Sequence, residues 1–157
     1  MTVSQLREEI DIELEAMELI VKELVSLGQD LESREPTVRE KTAAAAFLSQ
    51  FYNGIENILK RISYYHDVPL PEGENWHIEL FQRFSPNATF DLPQLFDNEF
   101  AGDVAPYRRF RHVAFHSYGF NMEWNRMKEG VENIRKIFDE FKLRIAKCLT
   151  NLDSSDS

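Results

Sequence analysis

The sequence holds a single cysteine, Cys148, and no apolar run approaching the ~20 residues that span a bilayer. It also lacks any excess of positive charge. One thiol cannot close an internal disulfide, which fits a reducing cytoplasm. Set among apolar helical positions, Cys148 reads as a packed thiol rather than a nucleophile. Without a long apolar run no transmembrane helix is expected, and the acidic N-terminal stretch is not a signal peptide. The expected location is therefore the cytoplasm, with no membrane partner. The net charge of −9 argues against binding nucleic acid through the overall field. Any such site must be a local exception to the global charge.

What is present suits one globular domain. A chain of 157 residues can bury about two thirds of its unfolded surface without a disulfide or metal. Hydrophobic residues make up 43% and charged residues 29%, and the 12 phenylalanines predict an aromatic core. Ile10, Met17, Leu24 and Leu31 recur at seven-residue spacing, with Leu6, Leu14 and Val21 between them. This pattern predicts an amphipathic helix of about 28 residues, capped at Ser4. Pro36 is expected to open a second helix reaching Tyr65. That helix carries the rows Ala44, Phe51, Ile58, Tyr65 and Leu48, Ile55, Ile62, and should pair antiparallel with the first.

Pro69, Pro71 and Gly73 mark a loop, and Asn75 is placed to cap a short helix from Trp76 to Phe84. An irregular region should follow as far as Gly102. A further helix is expected from Val104 to near Gly119, with Phe110, Val113 and Ala114 facing inward. The last helix should run from about Met122 to Leu149, with Met127, Ile134, Phe141, Cys148 and Val131, Phe138, Ile145 as its apolar rows. No two-residue alternation bounded by turns predicts a strand. The expected fold is all-α: an antiparallel bundle of four long helices plus one or two short ones. Residues 1–152 would form the single domain, and 153–157 a polar, frayed tail.

The local exception to the charge lies between Val104 and Met122, where there is no acidic side chain. This stretch holds Arg108, Arg109, Arg111, His112 and His116, with Tyr107 and Tyr118. The arginines have an alternative use, pairing with acidic faces of neighbouring helices. The order Arg111-His112-Val113-Ala114-Phe115-His116-Ser117-Tyr118 reads R-x4-H-x-Y. It resembles the signature of the HEPN superfamily in its HepT-like branch. The framework is also similar: two long leading helices, the segment Phe51-Tyr52-x-Gly54-Ile55-Glu56, and the pair Trp76-His77.

The resemblance implies a metal-independent endoribonuclease, the toxin of a toxin–antitoxin pair, acting on an RNA substrate with no cofactor. Histidine suits proton transfer because its unperturbed pKa is near 6.5. Arginine stays charged and presents a planar fork to phosphate. Arg111 and His116 are therefore the expected catalytic residues, both outside the core, so that replacing either should change cleavage and not folding. Arg108, Arg109 and His112 are expected to bind substrate. Tyr118 would be the hydroxyl that a partner nucleotidyltransferase antitoxin modifies with AMP, or else a ring packed on the last helix. Residues five apart on a straight helix point about 140° apart. A complete site therefore needs either a frayed helix end at His116 or two copies of the chain facing across a homodimer interface, as the resemblance implies.

Other readings stay open. His112 and His116 have the four-residue spacing of zinc ligands, with His66 or His77 as a third, but three arginines beside them oppose a cation, and no metal is expected. His77 either packs at a helix terminus or borders the cleft. Glu8, Glu9, Asp11, Glu13, Glu15 and Glu18 form a solvated helix face. The competing function is a non-catalytic HEPN-type dimeric module that binds a nucleotide or protein partner.

Overall fold

Each long helix that begins with a resolved cap does so where a side chain takes over an unpaired backbone N–H. The computed structural model describes residues 1–116, 118 and 123–155, with the backbone alone at Phe115 and His116. Thr2 opens α1 (Val3–Asp30): its hydroxyl accepts from the Gln5 N–H while the Gln5 side chain accepts from the Thr2 N–H. The cap is therefore Thr2 rather than Ser4, because only Thr2 has a glutamine three residues on to complete the reciprocal pair. Thr37 and Glu40 make the same box for α2 (Val38–Tyr65), and Pro36 lies one residue outside the cap instead of opening the helix.

The remaining elements are α3 (Trp76–Gln82), α4 (Asn98–His116) and α5 (Trp124–Ser155). Among the described residues there are four long helices, one short one and no strand, which is the all-α bundle the periodicity predicts. Asn75 precedes α3 but makes no side-chain cap. The helix ends expected at Gly119 and Met122 lie outside the described residues.

α2 is the hub, touching each of the other four helices. Contacts between α1 and α2 run in opposite senses along the two chains: Glu9 with Arg61, Glu13 with Asn57, Met17 with Gly54. They are antiparallel, as expected. α1 and α5 are antiparallel too, with Arg7 meeting Asp153, Glu18 meeting Arg135 and Gly28 against Val131. Three carboxylates of the α1 face expected to be solvated, Glu9, Glu13 and Glu18, thus accept arginines of neighbouring helices. α5 runs past Leu149 to Ser155, and Asp153 is anchored on Arg7. Both apolar rows of α5 are buried, Cys148 among them, and burial pushes its thiol up to about 11.

α4 begins at Asn98, six residues before the expected start. Asp97 supplies the reason: its Oδ1 accepts from the Phe100 N–H at 2.7 Å and its Oδ2 from Arg144 at 3.0 Å. The helix continues through Pro106. Proline removes one i→i−4 bond there, and the burial of Val104 and Tyr107 on either side compensates. Phe110 and Ala114 pack against the core, but Val113 is 40% exposed, so the inward face is narrower than expected. The Tyr107 hydroxyl donates to the Gly130 carbonyl at 2.7 Å. A Cβ at residue 130 would lie 2.6 Å from Phe110 Cε2, so only glycine lets α4 sit this close to α5.

Two outcomes test this account. Thr37→Ala should cost about 1 kcal/mol, lowering the melting temperature by about 2–4 °C. The Glu40 carboxyl is held down at about 2, chiefly by the Arg34 guanidinium and then by the Thr37 N–H. A depressed carboxyl stabilises the fold above its unfolded value and loses that contribution as the pH falls through the folded one. The gap in melting temperature between wild type and Glu40→Gln should therefore be present at neutral pH. It should close as the pH drops from about 4.5 towards about 2.

Candidate functional site

The centre of the site is a buried acid that lies on the apolar side of α2. Tyr52, Glu56, Leu59 and Ser63 follow one another by three or four residues, so they share a helical stripe, and all four are buried. Glu56 is 2% exposed. An ionised carboxylate at such a position requires donors or cations on its oxygens. It has one from each of two other helices. The Arg111 Nε of α4 lies 3.3 Å from Glu56 Oε1. The His77 Nδ1 of α3 lies 2.6 Å from Glu56 Oε2, the distance at which Nδ1–H donates to a carboxylate. Asn53, one turn before Glu56, accepts from the same Arg111 Nε at 2.6 Å.

Arg111 is thus held edge-on by two α2 side chains, and His77 by the opposite oxygen of one of them. The Trp76 ring lies 3.4 Å from the His77 ring, centroid to centroid, and the Lys60 ammonium sits 4.6 Å over Trp76. Beneath, the Tyr52 hydroxyl is buried with no hydrogen-bond partner among the described residues. Burial, and then the Glu56 carboxylate, push its phenol above the usual range, against the pull of Arg108 and Arg111. It therefore stays a neutral hydroxyl at physiological pH.

The other expected site residues divide around α4. The Arg108 guanidinium lies 5.4 Å over the Phe81 ring, on the α3 side. Arg109 and Val113 instead line a cavity of about 610 Å³ between α4 and the first turns of α5, with Phe110, Glu129 and Lys136. This hollow is separate from the Glu56 centre and carries acids as well as bases on its walls. His112 is exposed. Tyr118 is 70% exposed. The side chain of His116 lies outside the described residues. Among the described residues no three His, Cys, Asp or Glu side chains are grouped to hold a metal ion, and no helix is long and apolar enough to cross a membrane.

Asn53 and Glu56 are the two residues that reading for chemistry missed. Glu56 stood in the quoted framework segment, but as a landmark. The available signal was spacing: a glutamate four after Tyr52 and three before Leu59 falls on the buried stripe of a helix. Nothing in the sequence distinguishes Asn53 from other surface amides. Pairing of the arginines with acidic neighbours is realised for Arg111, and that changes what its truncation does. Arg111 is a half-buried partner of a buried charge rather than a residue outside the core.

Compared with known proteins, the chain matches the family model of HepT-like proteins over residues 43–152. No curated protein and no solved structure matches it.

Arg111→Ala should therefore destabilise the fold. Removing one partner of a buried ion pair costs roughly 3–5 kcal/mol, a fall in melting temperature on the order of 10 °C for a domain of this size. Adding Glu56→Gln to Arg111→Ala should recover part of that loss, because the orphaned charge is gone. An Arg111→Ala protein that melts with the wild type would refute the buried pair.

Proposed function

The chain belongs to the HepT-like family, and from that membership we propose that it is a metal-independent endoribonuclease, the toxin of a toxin–antitoxin pair. The observation that carries the proposal is the fixed Arg111 guanidinium, oriented by Asn53 and Glu56 at the head of the R-x4-H-x-Y motif. Cleavage of RNA by its own 2′-hydroxyl needs proton transfer and a positive group for the charge that grows on phosphorus. His116 supplies the first and Arg111 the second. Preorganisation is what makes such a contact effective, since a guanidinium already held in place need not reorganise as the charge develops.

The cleft is assembled by two copies of the chain. Positions five apart on a straight helix point about 140° apart, and a two-fold axis beside α4 would bring the motif of one copy against that of the other. Arg108, Arg109 and His112, which one copy spreads around α4, then flank a common groove and meet the RNA backbone. Tyr118, exposed beside the motif, is open to modification by a nucleotidyltransferase antitoxin. An added phosphodiester would place negative charge and bulk where RNA enters. The domain spans residues 1–152, and the protein acts in the cytoplasm.

One observation favours a second reading, a non-catalytic dimeric module that binds a nucleotide or protein partner. The charge of Arg111 is already opposed by Glu56, as in a purely structural ion pair.

The two readings part on activity. Arg111→Lys keeps the charge beside Glu56 and loses the fork. It should lower cleavage by about 10²–10³-fold, with a far smaller loss of stability than Arg111→Ala. His116→Ala should lower cleavage by about 10²–10⁴-fold. Activity should survive EDTA, and the upstream product should end in a 2′,3′-cyclic phosphate. Sedimentation should give about twice the 18.4 kDa of the chain. Wild-type dimer free of any group on Tyr118 that cuts no RNA would leave the non-catalytic module as the function.

A further inference from the structure

We propose that His77 is a second proton-transfer group of the same site, the general base that takes the proton of the attacking 2′-hydroxyl. The inference rests on the ribonuclease reading above. It adds a residue that neither the motif nor the family match assigns.

The geometry is that of an acid orienting an imidazole. Glu56 Oε2 holds His77 Nδ1 at 2.6 Å, which fixes the ring's orientation and places the Nδ1 proton on the carboxylate side. A neutral imidazole so held carries its lone pair on Nε2, at the far edge of the ring. Glu56 is almost wholly buried while the His77 side chain keeps 24% of its exposure, so the ring bridges from the interior to the surface. Its reactive edge is therefore the outer one. Trp76 lies against the ring, 3.4 Å between centroids and tilted by 34°, and Lys60 covers Trp76, so the ring is braced on that side.

The same carboxylate fixes the guanidinium expected to hold the scissile phosphate. Arg111 and His77 sit on opposite oxygens of Glu56, so a phosphate on one side of that carboxylate has an imidazole on the other. A buried carboxylate that only neutralised Arg111 would not need the histidine. The base–orienter pair is the arrangement that nucleophile activation requires, a proton acceptor aimed by a fixed acid.

The step balances with two imidazoles. As the 2′-oxygen attacks phosphorus, its proton passes to His77 Nε2. The bond from phosphorus to the 5′-oxygen breaks, and the leaving oxygen takes a proton from the protonated His116 imidazole. The products are a 2′,3′-cyclic phosphate and a 5′-hydroxyl, and proton exchange with water resets both rings.

Substrates with sulfur in place of the leaving 5′-oxygen separate the two histidines, because a thiolate leaves without protonation. His77→Asn keeps a donor at the Nδ1 position for Glu56 and removes the acceptor. It should cut natural RNA at least about 100-fold more slowly, and should be as slow on the sulfur substrate at the mapped cleavage site. His116→Ala should regain most of its lost rate on that substrate. Should the asparagine variant fold poorly, wild-type protein reports directly: diethyl pyrocarbonate should modify His77, and RNA with 2′-deoxy sugars should protect it. Three results overturn the proposal: His77→Asn cutting natural RNA at close to the wild-type rate, sulfur rescuing His77→Asn, or His77 modified equally with and without RNA. An active wild type with an unimpaired His77→Asn removes this proposal alone, whereas an inert wild type removes the ribonuclease reading and this proposal with it.

Discussion

The buried carboxylate of Glu56 constrains more of this structure than any other single group. A charge removed from water must be paired or hydrogen-bonded. Here the partners come from α3 and α4, so the acid binds three helices at one point. α3 depends on this most. It is seven residues long, has no side-chain cap, and is far below the length at which a helix holds itself together. Burial of Leu80 and Phe81 on its inner face and the His77–Glu56 contact on its first turn secure it instead. α4 takes its rotation from the same region: Tyr107 on Gly130 and Arg111 on Asn53 and Glu56 leave one choice of which residues face α2.

That rotation determines where the positive charge goes. Along the sequence the arginines form one tight cluster, but positions 108, 109 and 111 fall within one helical turn and need not share a face. Arg108 lies over Phe81, Arg109 borders the hollow beside α5, and Arg111 meets α2. Meanwhile the acids of α1 are answered by the chain's own arginines, Glu9 and Glu13 by Arg61, Glu18 by Arg135. Such partly exposed pairs on the surface add little stability. They do remove part of the acidic face as a landing place for a basic partner. A single copy therefore has no concentrated basic surface built from all three arginines. A second copy beside α4 is the simplest way to gather them, and the proposed dimer rests on this as much as on the angle between Arg111 and His116.

The parts of the fold that were legible in the sequence are those governed by period. The rows through Met17 and Phe138 are buried where the seven-residue spacing puts them, and so is the row through Phe51 as far as Ile58, with Tyr65 partly exposed at its end. What escaped depended on partners distant in sequence. The irregular region is expected to reach Gly102, yet Asp97 caps α4 from Asn98 and Arg144 of α5 fixes Asp97. Val113 has the spacing of an inward residue, yet α5 leaves a hollow beside it. Glu56 could have been found on its stripe, but which cations met it depended on the approach of α3 and α4. The motif pointed to Arg111 as a phosphate-binding residue outside the core, and gave no sign of the buried acid that its guanidinium meets.

Stability alone does not account for that acid. Replacing a buried ion pair by apolar side chains of similar volume is often neutral or stabilising. A glutamate between Tyr52 and Leu59 therefore gives the bundle nothing that a leucine could not, so far as packing is concerned. What a leucine could not do is orient. It would take from the Arg111 guanidinium and from the His77 Nδ1 the carboxylate that both now meet. The one property that distinguishes Glu56 from an apolar residue is that it aims a guanidinium and an imidazole from a single rigid point. In the fold that aim secures α3 and sets the rotation of α4, and the proposed site for phosphate and proton transfer would use the same two orientations.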